Sequence, residues 1–287
     1  MSMLLLAGCK KESASEPIID IPTVDIPVPM VLVTGGTFQM GSTTGSPDET
    51  PVHLVTVGTF YIDKTEVTYE KWTSVYDWGL THGYTDLPAG QNGTNSVGVN
   101  NPVTKVSWID ILKWCNARSE KDGWTPLYYT DDTLTTVYRT GQLDLTVGAV
   151  KWTANGYRLP TEGEWEFAAQ GGTKSAGYTH SGSNNIDSVA WHFLNTTGTH
   201  PVATKATNEL GLYDMSGNVW EWCWDWYGAY SASAQTDTRG ATSGAWRVLR
   251  GGSFVSVGSS CRVASRISYY PSNRLNHNGF RCVRDVE

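Results

Sequence analysis

At 287 residues the chain has room for one large domain or two small ones, and its formal charge of −7 argues against a nucleic-acid binder, which needs a basic patch. The simplest use of that charge is solubility. Thirteen Trp and 14 Tyr allow a core to form from few residues, because each aromatic buries a large area.

Residues 1–9 are apolar and end in Leu6-Ala7-Gly8-Cys9, which resembles the lipobox of bacterial lipoproteins. Cleavage there would leave Cys9 to carry lipid, although no Lys or Arg precedes the run. No later stretch is long enough to span a membrane, so lipid on Cys9 is the expected membrane attachment. Residues 10–29 turn polar and then proline-rich, an extended tether. One domain is expected over 30–287, since no linker-like composition follows about Val31.

That domain opens with two strand-like runs around Gly35-Gly36, and Val52 to Val57 alternates as a strand should. Thr68 is placed to cap a first helix. Ser107 with Asp110 reads as a capping box for a second, from Trp108 to about Arg118. Short strand-like pieces between 122 and 156 predict hairpins. Thr161 with Glu164 is another capping box, and the glutamates of the helix that follows read as caps and a solvated face. These patterns give an α+β fold and no finer class.

The last forty residues carry a frame, Arg250-Gly-Gly-Ser253, Cys261-Arg-Val-Ala264, Arg266, Pro271, Arg274 and Gly279-Phe-Arg-Cys282. Between the frame positions lie runs with neither helical nor strand periodicity. Phe254, Val255, Ser256, Val257, Gly258, Ser259 and Ser260 form the first. Ser265, Ile267, Ser268, Tyr269 and Tyr270 form the second, and Ser272, Asn273, Leu275, Asn276, His277 and Asn278 the third. Such residues resemble those of paratopes, where Tyr gives rigid contact area and Ser, Gly and Asn adapt. Residues 247–287 therefore read as a ligand-binding region laid over a scaffold, with Tyr269 and Tyr270 as anchors.

Gly35 to Ser42, Pro102 to Trp108, Tyr157 to Glu166, Gly211 to Trp222 and Arg250 to Ser253 with Gly279 to Arg281 resemble the motifs of the formylglycine-generating-enzyme (sulfatase-modifying factor) family, in that family's order. The resemblance implies a C-type-lectin-like fold with short sheets, two principal helices and much ordered irregular structure. It implies a structural calcium loop in which Asp214 and Glu221 give side chains and Gly217 and Val219 carbonyls. All-oxygen cages of this kind suit Ca²⁺, and a plain Asx-turn is the alternative.

Catalytic members hold copper on two cysteines spaced Cys-x4-Cys after the Gly-Gly-Ser, and here Cys261 has no such partner. No copper and no oxidase activity are expected, because soft thiolates are what select Cu(I). The resemblance also implies a Cys115–Cys282 disulfide, leaving Cys223 and Cys261 as a second pair, with buried free thiols as the alternative. The histidines show no metal-ligand spacing and no nucleophile signature appears, so no active site is read.

Within this family the chain resembles the variable proteins of diversity-generating retroelements, whose ends are rewritten at template adenines. Such rewriting of AAC codons never produces Lys, Glu, Gln, Met or Trp, and none of these occurs from Gly251 to Val286. The expected function is a surface-exposed lipoprotein, on the outer membrane, whose C-terminal region binds a protein or glycan without catalysis. An oxidase of altered metal or substrate and a fixed envelope component are the competing expectations.

Overall fold

A computed structural model of the chain describes residues 30–96, 98 and 100–286. The Cys9 lipobox and the tether over 10–29 lie outside the described residues.

The first strands are β1 (Met30–Val33), β2 (Gly36–Met40), β3 (His53–Val57) and β4 (Phe60–Asp63). The runs flanking Gly35-Gly36 do not pair with each other. β1 pairs antiparallel with β4, and β2 with β3. Three helices begin where their caps predict. In α1 (Tyr69–Leu80) the Thr68 side chain accepts from the Lys71 N–H. A short β5 (Gln91–Asn92) and β6 (Val103–Thr104) pair antiparallel, and α2 (Trp108–Lys121) then starts at the Ser107–Asp110 capping box. The hairpins expected between 122 and 156 reduce to single bridges, Tyr128 with Val150 and Tyr129 with Val137. A third box, Thr161 with Glu164, opens α3 (Glu162–Ala169), and α4 (Ile186–Val189) is one turn.

The rest is strand and ordered loop: β7 (Trp220–Trp226), β8 (Gln235–Thr236), β9 (Arg247–Arg250), β10 (Arg266–Tyr269), β11 (Asn278–Gly279) and β12 (Val283–Asp285). The central sheet runs β10-β9-β7-β11, flanked by β1-β4-β12 and β2-β3-β8.

β7 divides two cores. Alternation of side chains along a strand sends Trp222 and Trp224 into the core under α1 and α2, where Trp72 stacks on Trp114 at 5.5 Å and both rings meet Phe280 edge-on. The other face of β7 presents Glu221, Cys223 and Asp225 toward α3 and the core around Trp165. Carboxylates buried on that face need cationic partners. The C-terminal segment supplies one to Glu221, Arg281.

A binding surface on an arginine frame

Each arginine of the C-terminal frame is tied to the scaffold. Arg247 donates to the Trp224 and Leu145 carbonyls, both at 2.8 Å, with its guanidinium between the rings of Trp108 and Trp226. Arg250 meets Glu162 at 2.9 Å and also Glu166, and it donates to the Val263 carbonyl at 2.7 Å. Arg266 grips both oxygens of Glu162 at 2.7 Å. Arg281 does the same to Glu221. Arg274, though partly exposed, holds both oxygens of Asp110, the acid of the α2 capping box, at 2.7 and 2.8 Å. The α3 glutamates are therefore buried ion-pair partners rather than a solvated face. Burial alone would raise the pKa of Glu162, but Arg266 and Arg250 outweigh it and hold the carboxyl below its ordinary value.

Between these anchors the chain is held by its backbone. The Ser256 carbonyl accepts from the Phe193 N–H at 3.0 Å, and the Leu275 carbonyl from the Lys105 N–H at 3.0 Å. The Asn276 carbonyl accepts from the Thr94 hydroxyl at 2.6 Å, and the His277 carbonyl from the Trp220 N–H at 2.8 Å. Gly252, at φ +78°, lets the turn lie against Cys261, since a Cβ there would stand 2.5 Å from its sulfur. None of these contacts uses a side chain of the intervening runs.

Those side chains divide by burial. Val255, Val257, Ser259, Tyr270, Ser272 and Asn276 are exposed. Gly258, Ser260, Ile267, Ser268, Tyr269, Asn273, Leu275 and His277 are half-buried. Four expected contact residues are instead interior: Phe254, Ser256, Ser265 and Asn278. Ser256 turns inward because its hydroxyl accepts from the Ser253 N–H at 3.0 Å, and Asn278 because it pairs with Trp220 in the sheet. Of the two expected anchors, Tyr270 stands 56% exposed, while Tyr269 packs partly on the core and lies 6.3 Å from His277.

Sequence reading missed three contributors outside the runs. Phe193 and Leu194 are 60% and 79% exposed in the loop that bonds to Ser256, beside Val255 and Val257. Trp246 meets Tyr270 edge-on at 6.0 Å. Their signal is spatial: each lies far in the chain from a run or just before it, and only folding brings it alongside.

The family description "Sulfatase-modifying factor enzyme 1-like domain" matches residues 23–286. The chain belongs to this family. It is 36% identical to the chaperone protein LppX of Paenibacillus barcinonensis, with 89% of each chain covered. Against the formylglycine-generating enzyme of Streptomyces coelicolor the identity is 33%, covering 90% of this chain and 89% of the enzyme. Among solved structures, Treponema denticola variable protein 1 superposes with a TM-score of 0.76 at 32% identity, covering 90% of this chain and 95% of that one. The short mixed sheets and few helices described above are thus the C-type-lectin-like fold of this family.

The residues expected to hold calcium and to form disulfides are all buried. Glu221 accepts from Arg281 at both oxygens and from the Trp165 indole N–H at 2.8 Å. Asp214 accepts from the Ala203 N–H at 2.8 Å and is pushed up to about 6, first by burial. The Gly217 and Val219 N–H groups donate to the Gly251 carbonyl and to Glu66. Cys115, Cys282, Cys223 and Cys261 are buried, and the Cys115 and Cys282 sulfurs stand 3.6 Å apart.

Cys261 is unlike a reactive cysteine. At the Cys-x4-Cys spacing from it stand Ser256 upstream and Arg266 downstream, and burial pushes its thiol up to about 12. Among the described residues no helix is long and apolar enough to cross a membrane.

Proposed function

We propose that this protein is a non-catalytic binding protein of the cell envelope, anchored by lipid on Cys9, whose C-terminal face takes a protein or glycan ligand and is diversified by a retroelement. One observation carries the reading: Arg250, Arg266 and Arg281 of the frame are buried in ion pairs, while the exposed side chains between the frame positions take no part in holding the backbone. Exposed substitutions away from special features cost little, so such a face tolerates rewriting. A preorganised backbone also lowers the ordering cost of binding, whatever the side chains are. Similarity to Treponema denticola variable protein 1 supports the same reading.

Sequencing the 3′ end of the gene deeply in one population tests it. Changes concentrated at the codons of Val255, Val257, Ser259, Tyr270, Ser272 and Asn276, each at an adenine of a nearby template copy, are expected. A uniform 3′ end without a template overturns the diversified face. The similarity to formylglycine-generating enzymes favours a second reading, an oxidase of altered metal or substrate. Copper uptake with thiol oxidation by the purified protein would establish that reading in place of the first.

A further inference from the structure

A recess of about 130 Å³ lies where β3 and β7 meet the loop over 228–241. His53, Asp225, Trp226 and Tyr230 line it, with Glu162 and Arg266. An apolar cavity of about 150 Å³ takes one benzene, so the recess has room for roughly six heavy atoms.

Its charges do not balance. Arg250 and Arg266 are the cations that meet Glu162 and Glu166, two guanidinium groups for two carboxylates. Asp225, 2% exposed, is left over. It accepts the Glu162 N–H at 2.8 Å and makes no ion pair among the described residues. Gly240, at φ +78°, lays the loop directly on it, since a Cβ there would stand 2.7 Å from the Asp225 Cβ. A buried carboxyl with no ion pair of its own, bordering a cavity with two aromatic walls, is a place for a missing positive charge.

We propose that this recess binds a primary ammonium group, on a small alkylamine or on the lysine side chain of a partner, with Asp225 as its counter-ion and Trp226 and Tyr230 as walls. The ammonium carries the third positive charge that the set of three carboxylates lacks. An anion would instead face Asp225 and Glu162 with both arginines already engaged.

Burial, then Glu162, pushes the Asp225 acid up to about 8. Binding of RNH3⁺ therefore expels the Asp225 proton to solvent and leaves RNH3⁺ paired with the carboxylate. The charged groups around it are Glu162 and Glu164 on α3, Arg266 on β10 and Arg247 on β9, and His53 on β3 faces the same recess. Since the carboxylate fraction rises about tenfold from pH 7 to pH 9 for such an acid, affinity should rise by about the same factor.

The test is calorimetric titration of the full chain with n-butylammonium at pH 7, 8 and 9, with n-butanol as the neutral isostere and Nα-acetyl-lysine amide as the lysine probe. Saturable binding of either amine, tightening about tenfold with pH and releasing a proton at pH 7, is expected. Asp225→Asn, whose amide oxygen can still accept the Glu162 N–H, should weaken it at least about tenfold. Ala241→Leu, which narrows the recess without touching the carboxyl, should weaken it too and decides the matter if the first variant does not fold. Equal binding of butanol, unchanged binding by both variants, or no saturable binding at any pH overturns the proposal.

Discussion

Glu162 is the residue on which the frame and the scaffold converge. One carboxylate, 3% exposed, receives Arg266 at both oxygens and Arg250 at one, with the Tyr230 hydroxyl at 3.0 Å. Removing its charge strands the buried guanidinium of Arg266 and takes from Arg250 one of its two carboxylates, and breaking a buried pair from one side costs about 3–5 kcal/mol. Glu162→Gln should lose about that much in urea unfolding, whereas Val257→Ala, 55% exposed in the neighbouring run, should stay within about 0.5 kcal/mol. Similar losses for the two would mean that the exposed run is itself part of the scaffold. Asp225 makes an opposite case. Its carboxyl is raised from 3.8 to about 8, so the folded state keeps a proton that the unfolded chain gives up. The stability this contributes is complete below about pH 4 and is lost as pH rises through about 8, at up to about 1.4 kcal/mol per unit. Asp225→Asn, neutral at every pH, should therefore gain on the natural chain between pH 5 and pH 9, read as the difference in their unfolding free energies.

At the scale of elements, the capping boxes connect local structure to the surface. Asp110 closes the start of α2 by accepting the Ser107 N–H at 3.0 Å, and the same carboxylate holds Arg274. Ser107→Ala removes a cap and should cost about 1 kcal/mol. Asp110→Ala should cost more and also loosen the 270–277 loop, seen as faster amide exchange there; unchanged exchange would show that the carbonyl contacts of Pro271, Leu275 and Asn276 suffice. These helix starts were legible in the chain because a cap is a local pattern of a few residues. The pairing of β1 with β4 and β2 with β3 was not, since it depends on partners that no local rule specifies. Glu162 and Glu166 of α3 were misread as a solvated face for the same reason. Their arginines, Arg250 and Arg266, lie more than eighty residues away, and a charged helix looks solvated until its partners are known.

Taken whole, the molecule separates what holds the C-terminal segment from what it shows. The family motifs made the fold and the frame legible. They could not say that Phe254, Ser256, Ser265 and Asn278 turn inward, nor that Phe193, Leu194 and Trp246 join the outer face, because burial is decided by neighbours distant in sequence. This division makes a prediction about many changes at once. Exposed substitutions away from special features each cost little, so replacing Val255, Val257, Ser259, Tyr270, Ser272 and Asn276 together should cost no more than about 1–3 kcal/mol, read as the shift in urea midpoint at constant m-value. The backbone contacts at Ser256, Leu275, Asn276 and His277 survive such a change because they use carbonyls that every residue carries. Phe254→Ala alone, by contrast, empties a buried aromatic site and should cost about 3–5 kcal/mol. A sixfold variant that unfolds would overturn the separation. One that folds, and exchanges its binding partners for others, would show that the surface has been changed while the arginine frame beneath it stayed in place.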